Sequence, residues 1–218
     1  MGVVNFGIPI EEANYLREIM SLGIAVEGGT YRGGTAKELS KLFDKVYTIE
    51  KSEQMFSEAE KNLNGISNIK LLKGDTRTNL PSILNSEDGI LFWLDAHWSG
   101  GKTYGEQDEC PLIEELKLIF NSKKKCAILI DDARLFMAPP PTPHDESAWP
   151  SIADIAAVLP SDWDLIIWND VIYITVSEIR FRRHMQTRTT SERLNFSNSK
   201  KLKFKTRLRN MFRFTFKK

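Results

Sequence analysis

Acidic residues close successive apolar runs in the first half of the 218-residue chain. Glu27 ends Ile24-Ala-Val-Glu, Glu50 ends Lys45-Val-Tyr-Thr-Ile-Glu, and Asp75 follows Ile69-Lys-Leu-Leu-Lys-Gly. An ionised carboxylate only accepts hydrogen bonds, so such a set suits hydroxyls, amines and cations. Behind Glu27 comes Gly28-Gly29-Thr30-Tyr31-Arg32-Gly33-Gly34-Thr35, a stretch whose glycines let the backbone turn sharply and approach a ligand closely. Glu50 lies 21 residues after Gly29, where an acid in a nucleotide-binding sheet accepts the ribose hydroxyls. The alternative for the glycine turn is packing alone, and each acid, taken singly, reads as an exposed strand-end charge. Three acids ending three successive strands are much harder to obtain that way. No frame of the loop supplies Gly-x-Gly-x-x-Gly or Gly-Lys-Ser/Thr, which sets aside the dinucleotide and P-loop fingerprints.

A second acidic group follows. Phe92-Trp-Leu-Asp95-Ala-His97-Trp98-Ser99-Gly100-Gly101 and Ile128-Leu-Ile-Asp131-Asp132-Ala-Arg134 place carboxylates after two further apolar runs. If those runs are adjacent strands, Asp95, Asp131 and Asp132 meet at one rim and repel unless neutralised. A hard divalent ion such as Mg²⁺ neutralises them with oxygen ligands. The alternative has Asp131 or Asp132 capping the next turn. His97, two residues beyond Asp95, reads either as a general base with an unperturbed pKa near 6.5 or as a residue orienting a loop carboxylate. His144 either lines a substrate entrance or lies on the surface. Trp98, Tyr104 and Trp149 either stack on an acceptor ring or anchor loops.

These residues need strands to carry them. Helical patterns at Pro9–Leu22, Thr35–Phe43, a charged stretch ending near Leu63, and Pro111–Phe120 alternate with apolar strand patterns. Gly89–Asp95 and Cys126–Ile130 are continuously apolar, as central parallel strands are. Met137–Pro150 is proline-rich and reads as a loop, and Ser151–Leu159 as a helix with Ser151 at its N-cap. Leu165–Trp168 and Val171–Val176, joined by Asn169-Asp170, form a hairpin signal. The sum is an α/β fold: a Rossmann-like doubly wound sheet of seven strands, closed by a C-terminal antiparallel hairpin.

That closing hairpin and the Glu-x-Gly-Thr-x-x-Gly-x-Thr loop resemble the class I S-adenosylmethionine (SAM)-dependent methyltransferases, over roughly residues 23–176. The resemblance implies SAM as cofactor. It places Glu27 beside the methionine end, Glu50 on the ribose and Asp75 on the adenine amino group. Gly28, Gly29, Thr30, Gly33, Thr35, Lys51, Thr76 and Asp95 complete the expected cofactor contacts. Lys51 departs from the pattern, which often has an apolar residue there to pack on adenine. Asp95, Asp131 and Asp132 resemble the metal set of the catechol- and macrolide-sugar-type O-methyltransferases, implying Mg²⁺ with His97 and Asp95 as catalytic residues. The wording Leu94-Asp-Ala-His-Trp-Ser-Gly-Gly also resembles methyltransferases of glycan synthesis. The implied acceptor is a hydroxyl on a sugar, glycan or other small molecule. Segments 99–108 and 137–149 are expected to form its lid.

Composition bounds the rest. Apolar residues make up 41%, enough for a core. Two cysteines, Cys110 and Cys126, give no disulfide framework, and the expected setting is cytoplasmic. The start Met1–Phe6 lacks the basic and apolar regions of a secretory signal. From Ile179 to Lys218 there are 14 basic residues and one acid, against 16 basic and 28 acidic before it. Residues 1–178 are therefore read as the methyltransferase domain and 179–218 as a basic, aromatic-rich tail. The tail's expected partner is an anionic membrane surface, at the inner face; self-packing, including a homo-oligomer, ranks second and nucleic acid third. The other functions are a non-catalytic SAM-fold scaffold tethered by this tail, and an RNA methyltransferase. The latter lacks the Asn/Asp-Pro-Pro-Tyr/Phe motif after the fourth strand.

Overall fold

The structure is a computed structural model that describes residues 7–95, 108–138, 140–142 and 144–192. Two compact units divide the chain, residues 1–177 and 178–218. In the first, strands and helices alternate: α1 (Ile10–Met20), β1 (Ile24–Gly28), α2 (Gly34–Ser40), β2 (Lys45–Glu50), α3 (Glu53–Leu63), β3 (Ile69–Lys73), α4 (Thr76–Ser86) and β4 (Ile90–Leu94). After residues 96–107 come α5 (Leu112–Ser122), β5 (Cys126–Ile130), α6 (Ala133–Met137), a 3₁₀ turn (Glu146–Ala148), α7 (Ile152–Ala157), β6 (Trp163–Trp168) and β7 (Val171–Val176).

The strands form one seven-stranded sheet in the order β3-β2-β1-β4-β5-β7-β6. The first five are parallel, and β7 runs antiparallel to both β5 and β6. This is the doubly wound sheet with a closing hairpin that the sequence predicts. Asn169 and Asp170 make the hairpin turn with φ of 46° and 66°, the left-handed pair a type I′ turn requires. Strand order reverses between β1 and β4, and the crevice outside their carboxyl ends is where open α/β sheets bind ligands.

Side chains alternate across the sheet, so neighbours in a strand serve different faces. Val26, Phe92 and Ile128 join α4 and α5 residues Leu80, Ile83, Leu116 and Ile119 in the main core. Leu72 packs there too, whereas its neighbour Leu71 packs with Ala36 of α2 and Ala59 and Leu63 of α3. Every residue of β4 and β5 is buried, which explains their unbroken apolar runs.

The sequence reading leaves β3 to β4 without a helix, and α4 fills that gap. Its interior Pro81 reads as a breaker, because proline takes the N–H that would have met the Arg77 carbonyl. The helix forms nonetheless, buried through Thr76, Leu80, Ile83 and Leu84 and capped by the Asp75 side chain. A short helix, α6, leads into the proline-rich stretch, which itself holds the 3₁₀ turn where a plain loop is expected. In the second unit, residues 179–192 are helical, and Phe181 and Met185 are buried. Among the described residues no helix is long and apolar enough to cross a membrane.

Candidate active site

The loop after β1 is built by glycine. Gly29 and Gly33 hold φ of 88° and 81°, open to glycine without strain. At Gly33 a Cβ would lie 2.8 Å from Leu63 Cδ2 of α3, so the loop also needs the missing side chain for close packing. Gly29 and Thr30 both donate from their backbone to the Ile49 carbonyl, at 3.0 and 3.2 Å. Tyr31 donates its N–H to Glu50 Oε2 at 2.8 Å. The glycine loop is thereby fastened to the end of β2.

Glu27 sits under this loop, 1% exposed. Parallel register sets it beside Thr48 and Trp93. Thr48 donates its hydroxyl to Glu27 Oε2 at 2.5 Å, and Thr30 in turn donates to Thr48 at 2.5 Å. Burial pushes the Glu27 carboxyl up to about 8; the Thr48 hydrogen bond opposes this, and the charges of Asp95 and Glu50 add to it. Glu27, Glu50 and Asp95 therefore share one electrostatic neighbourhood at the crevice. Glu50 is also buried, and burial raises its pKa against the N–H groups of Ser52, Tyr31 and Lys51. Ser52 N donates to Glu50 Oε1 at 2.7 Å.

Gly74 donates to the Glu50 carbonyl, which draws the end of β3 against β2. Asp75 follows and caps α4, accepting from Arg77 N at 2.9 Å. Its carboxylate is also clasped by the Arg77 guanidinium and by Lys51 Nζ at 2.8 Å. Arg77 above all, against some burial and with help from Lys51, holds Asp75 well below the usual carboxylate range. Arg77 continues to Asp108 and Glu114. Thr76 is buried in the first turn of α4, and Thr35 begins α2 next to Gly34.

The expected metal residues do not come together as one donor set. Asp95 donates its N–H to the Gly28 carbonyl at 2.9 Å, directly at the β1–β4 crevice. Asp131 is 7% exposed and turns Oδ1 to the N–H of Asp132 at 2.8 Å. Asp132 has φ of 56° and pairs with Arg134, which also pairs with Asp170 of the hairpin. Among the described residues, no three His, Cys, Asp or Glu side chains are grouped to hold an ion. His97, Trp98 and Tyr104 lie outside the described residues, as does nearly all of the expected 99–108 lid segment.

One buried network has no counterpart in the sequence reading. Glu109, 3% exposed, accepts from Trp149 Nε1 at 2.6 Å and Asp145 N at 3.0 Å, with His144 Nδ1 also at 3.0 Å. Burial works to raise its pKa, but the three partners outweigh it and the net shift is downward. His144 packs edge-on to Trp149 with ring centroids 5.4 Å apart. Trp149 is thus a loop anchor, and His144 is a clamped residue rather than a surface one. In sequence Glu109 is one acid among several before α5. Its signal was the distant Trp149 and His144, which sequence spacing does not connect to it.

No family model matches the chain, and no curated protein matches it by sequence. Solved structures do match. The SAH-bound methyltransferase PaMTH1 of Podospora anserina gives a TM-score of 0.55 at 16% identity, over 76% of each chain. The O-methyltransferase TomG of Streptomyces achromogenes, in complex with SAM, gives 0.54 at 11% identity, over 80% of this chain and 82% of its own. An O-methyltransferase from Bacillus cereus in complex with SAH gives 0.54 at 16%, over 78% and 82%. The chain has the fold of the class I SAM-dependent methyltransferases. In that methyltransferase fold, the glycine loop, Glu27, Glu50 and Asp95 lie at the switch point of the sheet, and Asp75 at the neighbouring β3 end.

Proposed function

We propose that the chain is a SAM-dependent methyltransferase that transfers the methyl group to a hydroxyl of a small or glycan acceptor. The supporting observation is the acidic crevice at the switch point, where burial above all, with the charges of Asp95 and Glu50 adding to it, raises the pKa of Glu27. A crevice of that sign suits a cationic ligand, and SAM carries both a sulfonium and an ammonium group. The chemistry of the residues fits the rest of the cofactor as well. The four acceptor sites of the Glu50 carboxylate outnumber its three backbone donors, Ser52, Tyr31 and Lys51, leaving one for a ribose hydroxyl. Gly29 and Gly33 keep the loop backbone approachable.

When bound, SAM supplies a methyl group on positively charged sulfur. The chain's own part is to hold and orient it: Glu50 at the ribose, Glu27 and Asp95 at the methionine end. An attacking hydroxyl must lose its proton, and His97 is the base in this reading. The described side chains do not fit a divalent ion, since Asp132 is committed to Arg134 and no three donors are grouped. The glycan acceptor rests on the resemblance of the Asp95–Gly101 wording. The 28 acids against 16 basic residues before Ile179 disfavour a nucleic-acid substrate.

Calorimetry with SAM and SAH tests the reading. The intact protein should bind both, and Glu50→Ala should weaken binding about ten- to a hundredfold by removing a charged acceptor from a ribose hydroxyl. Undiminished affinity in that variant would sink the assignment.

The basic stretch from Ile179 is taken to contact an anionic membrane surface. Its described part carries Arg180, Arg182, Arg183 and Arg188 on a helix whose Phe181 and Met185 are buried. Each basic residue near such a surface contributes about 1 kcal/mol.

A further inference from the structure

The Asp75 carboxylate has no acceptor capacity left. Two carboxylate oxygens offer about four lone-pair sites. Oδ1 takes Arg77 N at 2.9 Å and Arg77 Nε at 3.0 Å. Oδ2 takes the second guanidinium nitrogen at 2.7 Å and Lys51 Nζ at 2.8 Å. Four donors thus fill four sites. Arg77 holds its share in a bidentate fork, the strong and geometrically fixed form of this pair. Parallel pairing of Glu50 with Lys73 puts the residues that follow, Lys51 and Asp75, at adjacent strand ends. Asp108 braces the cluster through Arg77 and, at 3.9 Å, through Lys51.

This bears on the base of the proposed cofactor. An adenine amino group is a donor and needs an acceptor. An ammonium is a donor only. Resting on the SAM reading, we propose that the six-position of the purine is met here by donors, Lys51 foremost, and not by the Asp75 carboxylate. The site therefore accepts a 6-oxopurine form of the cofactor at least as well as the 6-aminopurine form. The depressed pKa of Asp75 agrees, because a carboxylate already sated with cations has little pull left for a neutral amine. A site built to hydrogen-bond an N–H group rejects an analogue lacking it by orders of magnitude, up to about 10⁴-fold or more. A site with no acceptor on offer forfeits that discrimination.

The probes are SAH and S-inosylhomocysteine, which differ at the six-position and at the adjoining N1 proton. Their dissociation constants are measured by calorimetry on the full chain. S-inosylhomocysteine is expected to bind at least as tightly as SAH, to within about threefold. Lys51→Met, at a side chain 32% exposed, should reopen one lone pair on Asp75 and shift the ratio toward SAH by tenfold or more. Asp75→Asn, which keeps a competent helix cap, should leave the wild-type ratio unchanged. A wild-type preference for SAH above tenfold that Asp75→Asn abolishes overturns the proposal and leaves the SAM reading intact. Binding of neither probe overturns both.

Discussion

Glu27→Gln should make the protein more stable in alkali and change little in acid. Burial, with Asp95 and Glu50 adding to it, lifts the Glu27 pKa from 4.5 to about 8. Below pH 4.5 the carboxyl is protonated in both folded and unfolded chains. Between 4.5 and 8 only the folded chain holds the proton, so stability falls as pH rises through this window. Above 8 the loss is complete. At 1.36 kcal/mol per unit of pKa, the whole window corresponds to about 3 to 5 kcal/mol. Glutamine keeps an oxygen for the Thr48 hydroxyl, which donates at 2.5 Å in the native protein, and carries no titrating proton. Urea unfolding of both proteins at pH 5, 7 and 9 reads the difference. The two curves should coincide near pH 5 and separate by a few kcal/mol at pH 9, with the variant the more stable. Parallel pH profiles would mean that Glu27 titrates normally, and the account of the crevice as a site of stored like-charge repulsion would fall.

Other outcomes follow from single contacts. Gly33→Ala should lower stability by about 2 to 4 kcal/mol, from left-handed backbone and the clash with Leu63, as a drop in thermal midpoint. Glu109→Ala should cost about 2 to 4 kcal/mol in the same assay, because it leaves Trp149 Nε1, Asp145 N and His144 without their shared acceptor. A chain ending at Glu192 keeps buried Phe181 and Met185, and should fold and bind SAH normally. It should lose salt-sensitive binding to phosphatidylserine vesicles; retained binding would remove the membrane role from residues 193–218.

The parts of the fold that the sequence exposed are those where local chemistry and tertiary demand agree. β4 and β5 are apolar throughout because both their faces are covered. Asn169-Asp170 marks the hairpin because few residues tolerate two successive left-handed conformations. Ser151 caps α7 with its own hydroxyl, as its place before that helix predicts. Where the two levels conflict, the sequence misleads. Pro81 argues against α4, yet the burial of Leu80 and Ile83 and the Asp75 cap carry the helix through it. The site shows the same division. Glu27 and Glu50 stand where strand ends put them, since a strand end is a local signal. The partners of Asp75 and Glu109 are set by side-chain reach across elements, Lys51 to Asp75 across 24 positions and Trp149 to Glu109 across 40. No periodicity encodes such reach.

The strand-end acids thus divide into two kinds of environment. Asp75 is neutralised within the protein, by Arg77 and Lys51, and its carboxylate stays ionised whatever else binds. Glu27 is buried with like charges for neighbours, and these outweigh the hydrogen bond from the Thr48 hydroxyl, so it keeps its proton near neutral pH. A protein selected for stability alone would not bury an acid at the centre of its sheet beside two others. The arrangement makes sense if positive charge arrives with a ligand. A cation entering the crevice lowers the Glu27 pKa and expels its proton, so the binding free energy recovers what burial costs. That is the property expected of a site for the cationic methionine end of SAM. SAH lacks the sulfonium charge, so it should release fewer protons on binding than SAM does. Calorimetry in buffers of different ionisation enthalpy counts those protons directly. Equal release by the two ligands would place the sulfonium away from Glu27 and return the carboxyl to a structural role.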